Sequence, residues 1–216
     1  MDAIFVTGGT GYMGQALIRA LIERGHVVHA LVRPGSQGRL PQGALPVMGD
    51  VLDASTFAAA IPQRATMVHL VGTPHPNPAK AAQFQRVDLA SIHAGTAGAQ
   101  RAGVRHLVYV SVAHPAPVMQ AYIAAMIEGE AIVGASGIPS TILRPWYVLG
   151  PGHRWPYLLV PFYVMAGWLP ATREMAQRLA LVTLPQMIAA LVCAIESPPD
   201  AGVRIVDVPA IRQAAV

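Results

Sequence analysis

TGGTGYMG, residues Thr7 to Gly14, is the stretch whose reading decides the fold. Ile4-Phe5-Val6 precede it and read as a buried strand, while Tyr12 to Glu23 follow it and read as a helix. A strand that turns through glycines into a helix leaves unpaired N–H groups and a positive dipole end facing outward, which suits a pyrophosphate. In this pattern Gly8 makes the turn, Gly11 lets the backbone approach the phosphates, and Gly14 lets the helix pack closely on the sheet. Gly8, Thr10, Gly11, Tyr12, Met13 and Gly14 are therefore the expected contacts of a dinucleotide.

Outward from this motif, strands and helices alternate. Strands are expected at Ala3–Val6, Val27–Val32, Met67–Val71, His106–Val110 and Thr141–Leu143, with a short one near Val47. Helices are expected at Tyr12–Glu23, Ala54–Ala60, Ala79–Ala102 and Val118–Ser136. Continuous apolar strands separated by helices imply a doubly wound α/β fold, a parallel sheet covered on both faces. Such sheets bind ligands outside the carboxyl ends of their strands. The loop GTPHPNP, Gly72 to Pro78, follows a strand end. It reads either as a border of the pocket or as a rigid surface connection.

The residue that meets the adenosine ribose lies about 20 positions beyond the glycine motif, and an acid there favours NAD. This chain has LVRPGS instead, with Arg33 directly after the strand and Ser36 nearby. A guanidinium suits a 2′-phosphate through paired, charge-assisted bonds. NADP(H) is thus favoured over NAD(H).

At 216 residues the chain suits one domain with a full core. Charged residues are 12% of it, about half the usual ~25%, and the mean hydropathy is +0.44. A net charge of +4 with no dense Lys/Arg run gives no nucleic-acid footprint. The single cysteine, Cys193, excludes an internal disulfide and points to a reducing, cytoplasmic compartment. It lies in an apolar helical run and reads as a small core residue. No basic stretch precedes the first apolar run, so no cleavable signal peptide is expected.

The chain resembles the short-chain dehydrogenase/reductase superfamily, whose nucleotide fingerprint is TG-x-x-G-x-x-G. VMGDVLD (Val47–Asp53), VHLVGT (Val68–Thr73), RHLVYVSV (Arg105–Val112) and SGIPSTILRPWYVLGPG (Ser136–Gly152) look like further segments of that superfamily, in order. The similarity covers most of residues 1 to 208. The nearest flavour is the atypical group, which includes NmrA-like proteins and relatives of the 39-kDa accessory subunit of respiratory complex I. The resemblance implies a single NAD(P)-binding Rossmann domain over residues 1–216, with a small apolar substrate-side region at 151–216. It also implies that Asp50 and Val51 edge the adenine and that Val71 and Gly72 flank its ribose.

Catalysis in that superfamily uses a Ser, a Tyr and a Lys, the last two as Y-x-x-x-K. The tyrosine exchanges a proton with the substrate oxygen while hydride moves to or from nicotinamide, and the ammonium lowers the tyrosine pKa. Here Ser111 matches the serine and Tyr122 the tyrosine, but the lysine position is Met126. Methionine carries no charge and donates no hydrogen bond. Lys80, the only lysine in the chain, ends the proline-rich loop and reads as solvated. Arg144, in the LRP segment, reads as structural, paired with Glu128 or Glu130. His114 and His153 are further acid/base candidates in loops near strand ends. No His/Cys/Asp/Glu cluster has metal-ligand spacing, and no G-x-S-x-G elbow is present.

From Trp155 to Thr172 the chain carries no charge. That length is the lower margin for a membrane span, but Pro156, Pro161, Gly167 and Pro170 argue against a spanning helix. Three readings stay open: a hydrophobic lid, a subunit interface giving an oligomer, and an interfacial helix making peripheral membrane contact through Trp155, Tyr157 and Trp168. Leu184–Glu196 reads as an apolar-faced helix with Thr183 as N-cap, and Val203–Val208 as a last strand. Sugar-nucleotide epimerases of the superfamily carry a larger substrate domain, so a nucleotide sugar is not expected here.

Two function classes follow. One is an NADP(H)-dependent oxidoreductase acting on a carbonyl or activated double bond of a small apolar substrate, with Tyr122 as proton donor and Ser111 orienting the carbonyl. The other is a cofactor-binding sensor or accessory module without turnover. Met126 and the apolar segment fit the second; Ser111 and Tyr122 fit the first.

Overall fold

A computed structural model of the protein describes residues 2–74, 76–150, 174–175 and 177–214. Seven strands form one sheet: β1 (Ala3–Thr7), β2 (Val27–Val32), β3 (Leu45–Met48), β4 (Thr66–His69), β5 (His106–Val110), β6 (Ser140–Leu143) and β9 (Val203–Val206). Their order is β3-β2-β1-β4-β5-β6-β9, and every neighbouring pair is parallel. The chain winds outward from β1 in one direction, then restarts at β4 and winds the other way. The reversal between β1 and β4 opens a crevice at the carboxyl ends of the strands. This is the Rossmann arrangement that the glycine motif implied.

The helices are α1 (Tyr12–Glu23), α2 (Ala81–Gln83), α3 (Ala90–Ala102), α4 (Gln120–Ala135), α5 (Leu184–Glu196) and α6 (Val208–Gln213). α1 buries Gly14, Leu17, Ile18 and Leu21, the i, i+3, i+4, i+7 spacing of one helix face. Each fully buried leucine or isoleucine there contributes about 1.5–3 kcal/mol. Thr183 caps α5 with its side chain on Gln186 N–H, and Gln186 returns the bond to the Thr183 backbone. That cap is the one expected.

Three local expectations need correction, and one small sheet is additional. Ala54–Ala60 is not a helix but two 3-10 turns, Ala54–Thr56 and Ala58–Ala60. The Asp53 carboxylate takes Ser55 N–H at 2.9 Å and the Thr56 hydroxyl bonds back to the Asp53 carbonyl at 2.7 Å, so side chains outcompete the helical bonds. The helix expected at Ala79–Ala102 is interrupted by a π turn, Phe84–Leu89, which turns Phe84, Asp88 and Leu89 inward. Cys193 is exposed rather than in the core; α5 is apolar nearly all round, so its sequence does not reveal which face is covered. A second, two-stranded parallel sheet of β7 (Tyr147–Leu149) and β8 (Leu181–Thr183) was not expected. Three-residue strands are too short to show a periodicity. The apolar stretch Trp155–Thr172 and His153 lie outside the described residues. No helix among the described residues is long and apolar enough to cross a membrane.

A buried polar chain runs beneath the crevice. Thr7 Oγ1 meets His69 Nδ1 at 3.0 Å, His69 Nε2 meets Ser91 Oγ at 3.2 Å, and Ser91 donates to the Asp88 carbonyl at 3.0 Å. Burial pushes the His69 imidazole down to about 4, from an ordinary ~6.5. Between those values the unfolded chain binds a proton that the folded chain does not. His69 therefore leaves stability intact above ~6.5, and up to about 3 kcal/mol is lost as pH falls toward 4. Urea midpoints measured from pH 7 to 4.5 should fall steeply for the wild type and less steeply for His69→Gln. Parallel curves would assign the acid sensitivity elsewhere.

Candidate functional site

The crevice holds a cavity of about 440 Å³. Its floor is the β1–α1 glycine loop; its walls are the ends of β4 and β5, the loops that follow them and the start of α4. Of the expected cofactor contacts, Gly8, Gly11, Tyr12, Met13, Gly14, Val71 and Gly72 line it, together with Ser111, Tyr122 and Met126. The proline-rich loop also borders it, through Pro74 and Pro76. Thr10, Arg33, Asp50 and Val51 do not line it. Thr10 turns its carbonyl to Gln15 at 3.0 Å and to Arg39 at 3.3 Å. Arg33 is exposed just past β2. Asp50 is exposed past β3, and its carboxylate takes Leu52 N–H at 3.0 Å. All four nevertheless sit at the same sheet edge as the glycine loop, because β3, β2 and β1 are adjacent.

The glycine loop has the shape of a phosphate cradle. Gly8 has φ +77°, and a Cβ there would lie 2.8 Å from the Leu70 backbone. A Cβ at Gly14 would lie 2.3 Å from the Gly8 carbonyl oxygen. Gly11, by contrast, would meet only the Gly8 carbonyl oxygen at 3.3 Å, so its bare backbone faces the cavity. No side chain caps α1 and no acid lies in its first turn. The positive end of its dipole is therefore left for an anion. These residues fit a nucleotide pyrophosphate.

Beyond β5, Ser111 is buried and donates its hydroxyl to Glu130 Oε1 at 2.6 Å. Arg144 grips the same carboxylate with two N–H groups, one at 2.9 Å on Oε1 and the other on Oε2. The expected structural role of Arg144 is thus met by Glu130. Truncating either partner would strand a mostly buried charge, which destabilises by about 3–5 kcal/mol. His114 Nε2 lies 3.4 Å from Glu130 Oε1 and does not line the cavity. Lys80 does not line it either; its ammonium donates to the Pro74 carbonyl within the loop.

Tyr122, in the first turn of α4, packs its ring on Phe84 with centroids 5.0 Å apart. Burial, then the facing Asp88 and Tyr12, push its phenol above the ordinary tyrosine range. Met126, one turn on, is 4% exposed, and its sulfur accepts the Tyr109 hydroxyl at 3.5 Å. The place of the ammonium is therefore filled by a packed thioether. Nothing at Met126 opposes the rise in the Tyr122 pKa.

Asp88 was missed by sequence reasoning. It stands in the π turn, 2% exposed, and still contributes to the cavity wall. Thr73 N–H donates to its Oδ1 at 2.9 Å, and the Thr73 hydroxyl meets its Oδ2. Burial pushes its carboxyl above the ordinary aspartate range, against the pull of those bonds. Its one signal in the sequence is that it is the only acid between Asp53 and Glu128.

Comparison with known proteins agrees with this geometry. The family model described as NAD(P)H-binding matches residues 8–154. A 3-diazoavenalumate denitrifying reductase from a Streptomyces species is 28% identical, over 94% of this chain and 75% of its own. The ceramide reductase of Caulobacter vibrioides is 26% identical, over 95% of this chain and 64% of its own. A Stigmatella aurantiaca ketoreductase of a farnesylated dihydroquinoline oxide is 27% identical, and the match spans half of its length. The Bordetella bronchiseptica enzyme WbmH, solved with NAD+, has the same fold at TM-score 0.70 and 17% identity, over 96% of this chain and 75% of its own. On the fold, the glycine loop and the extent of the family match, the chain belongs to the NAD(P)H-binding family of Rossmann proteins.

Proposed function

We propose that the protein is an NADP(H)-dependent reductase of a small apolar carbonyl compound. The observation that carries this reading is that Tyr122 and Ser111 share one cavity with the glycine loop. The cavity is walled largely by apolar groups, among them Leu70, Met126, Trp146 and Val148, which suits an apolar substrate. When bound, NADPH supplies the hydride for the carbonyl carbon. The chain supplies the proton for the oxygen, from Tyr122. Ser111 orients that oxygen: Arg144 already neutralises Glu130, so the Ser111 hydroxyl can turn to a substrate without stranding the carboxylate. Thr10, Asp50, Val51, Val71 and Gly72 complete the nucleotide side. The named reductases among the relatives support this reading, and the single cysteine goes with a cytoplasmic location.

The NADP(H) preference rests on Arg33, which directly follows β2, where an acid would favour NAD. Arg33→Ala should weaken NADPH binding about ten- to a hundred-fold, the loss of a charge-assisted contact, and leave NADH binding nearly unchanged. Nucleotide fluorescence titrations check this. An equal loss for both cofactors, or none for NADPH, removes the argument. A second reading, a cofactor-binding module without turnover, is favoured by Met126, whose sulfur is occupied by Tyr109.

A further inference from the structure

The cavity contains a second acid that the family pattern does not supply. Asp88 and Thr73 form a pair in its wall: the carboxyl Oδ1 takes a backbone N–H, which can only donate, so a proton on Asp88 belongs on Oδ2, against the Thr73 hydroxyl. A π turn places the carboxyl there; such turns recur at functional sites. No cation among the described residues pairs with it. The titratable groups facing Asp88 are Tyr122 on α4 and Tyr109 on β5, and Tyr12 on α1 faces Tyr122 in turn. Glu130 on α4 faces Tyr109 rather than Asp88. His69 on β4 reaches Asp88 only through Ser91 and the main chain. His93 on α3 is exposed. Arg86, in the same π turn, points its guanidinium at the Ala82 carbonyl, and the Lys80 ammonium is on Pro74.

We propose that Asp88 is the proton partner of Tyr122, standing in for the missing ammonium, with Thr73 as the relay. This rests on the reductase reading above. The physical reason is that a phenolate and a carboxylate cannot share a dry pocket without a cation. When Tyr122 gives up its proton, Asp88 must be neutral. In the reductive direction the Tyr122 O–H breaks and an O–H forms on the substrate oxygen, whose carbon has taken the hydride. The Asp88 O–H then breaks as its proton passes to Thr73 Oγ1, while the Thr73 proton passes to the phenolate and restores Tyr122. The Asp88 carboxylate regains a proton from water. The carbonyl is reduced, NADPH is oxidised, and one proton is drawn from solvent. The raised titration range of Asp88 is what such a store requires.

The test needs no substrate for its first arm. Infrared difference spectra of the whole protein against Asp88→Asn should show a protonated-carboxyl band that persists above the ordinary aspartate value of ~3.9 and is absent in the variant. Ultraviolet titration should show the tyrosine step that Tyr122→Phe removes, and Asp88→Asn should move that step down by about one unit or more. In the second arm, carbonyl reduction with NADPH should fall about 10²-fold or more at pH 7 in Asp88→Asn and Thr73→Val, and Thr73→Ser should restore it. NADPH affinity should be unchanged throughout. A band that titrates at or below the ordinary value, or a Tyr122 step indifferent to Asp88→Asn, overturns the proposal. A wild type that neither binds NADPH nor reduces any carbonyl defeats the reductase reading instead, and the two titrations still decide the pairing.

Discussion

Gly14→Val is expected to abolish nucleotide binding and to lower the melting temperature by the order of 10 °C, whereas Gly11→Val should abolish binding and leave melting almost unchanged. Gly11 caps α1 and Gly14 lies in its first turn, but they face different things. A Cβ at Gly14 would lie 2.3 Å from the Gly8 carbonyl oxygen and 2.8 Å from the Gly9 Cα. Both are main-chain atoms held by the end of β1, so neither can swing aside. The loop and α1 would have to separate, and α1 carries Leu17, Ile18 and Leu21 into the core. Overpacking of this kind costs about 3 kcal/mol or more, and a chain of this size melts about 2–4 °C lower for each kcal/mol lost. At Gly11 a side chain meets one oxygen at 3.3 Å and otherwise projects into the cavity. It would block the phosphates and little else. Differential scanning calorimetry and NADPH fluorescence separate the two effects. A Gly14→Val protein with wild-type melting, or a folded Gly11→Val protein with undiminished binding, would falsify this account of the loop.

The contrast between these glycines shows what a sequence makes legible. The motif placed three glycines at the right spacing, and α1 and β2 appear with the boundaries their apolar patterns predict. Those features are local, so a local pattern reports them. The lysine gap was equally legible, because Met126 is read against Tyr122 four residues earlier. What was hidden arises from contacts far apart in the chain. Ser111 and Arg144 meet on the Glu130 carboxylate, the three residues coming from three different parts of the fold. Asp88 becomes a pocket residue only because a π turn rotates it inward and Thr73, from the loop after β4, meets it there. No period of 2 or 3.6 encodes a π turn. The correct reading of Arg144 as a structural residue came from its need for a partner, a physical demand rather than a pattern.

Met126→Lys is expected to speed any Tyr122-dependent reaction by about 10²–10⁴-fold, the range of general acid–base help, while making the protein less stable. The sign follows from the two protonation states of Tyr122. In the oxidative direction Tyr122 must accept a proton, so only its phenolate works and the rate climbs as pH rises through its pKa. Burial and the facing Asp88 hold that pKa above the ordinary tyrosine value, which is ~10. The wild type should therefore be slow at neutral pH and still accelerating at the highest pH it survives. An ammonium at position 126 opens into the same cavity, favours the phenolate, and draws the rising limb toward neutrality. The loss of stability has a separate origin. The Tyr109 hydroxyl now donates to the Met126 sulfur, and an ammonium has no lone pair to replace it. A buried hydroxyl left without an acceptor costs about 1–3 kcal/mol. Faster turnover in a less stable protein is thus the signature of a lysine acting on Tyr122, since a general improvement in folding would move both quantities the same way. Steady-state rates across pH, with urea unfolding in parallel, measure the pair. The gain should vanish in the Tyr122→Phe, Met126→Lys double variant, and a double variant as fast as Met126→Lys would place the proton elsewhere. Were Met126→Lys to create activity that the wild type lacks across a broad panel of carbonyl compounds, Met126 would mark the natural protein as a cofactor-binding module, because a single side chain would then separate the scaffold from the catalyst.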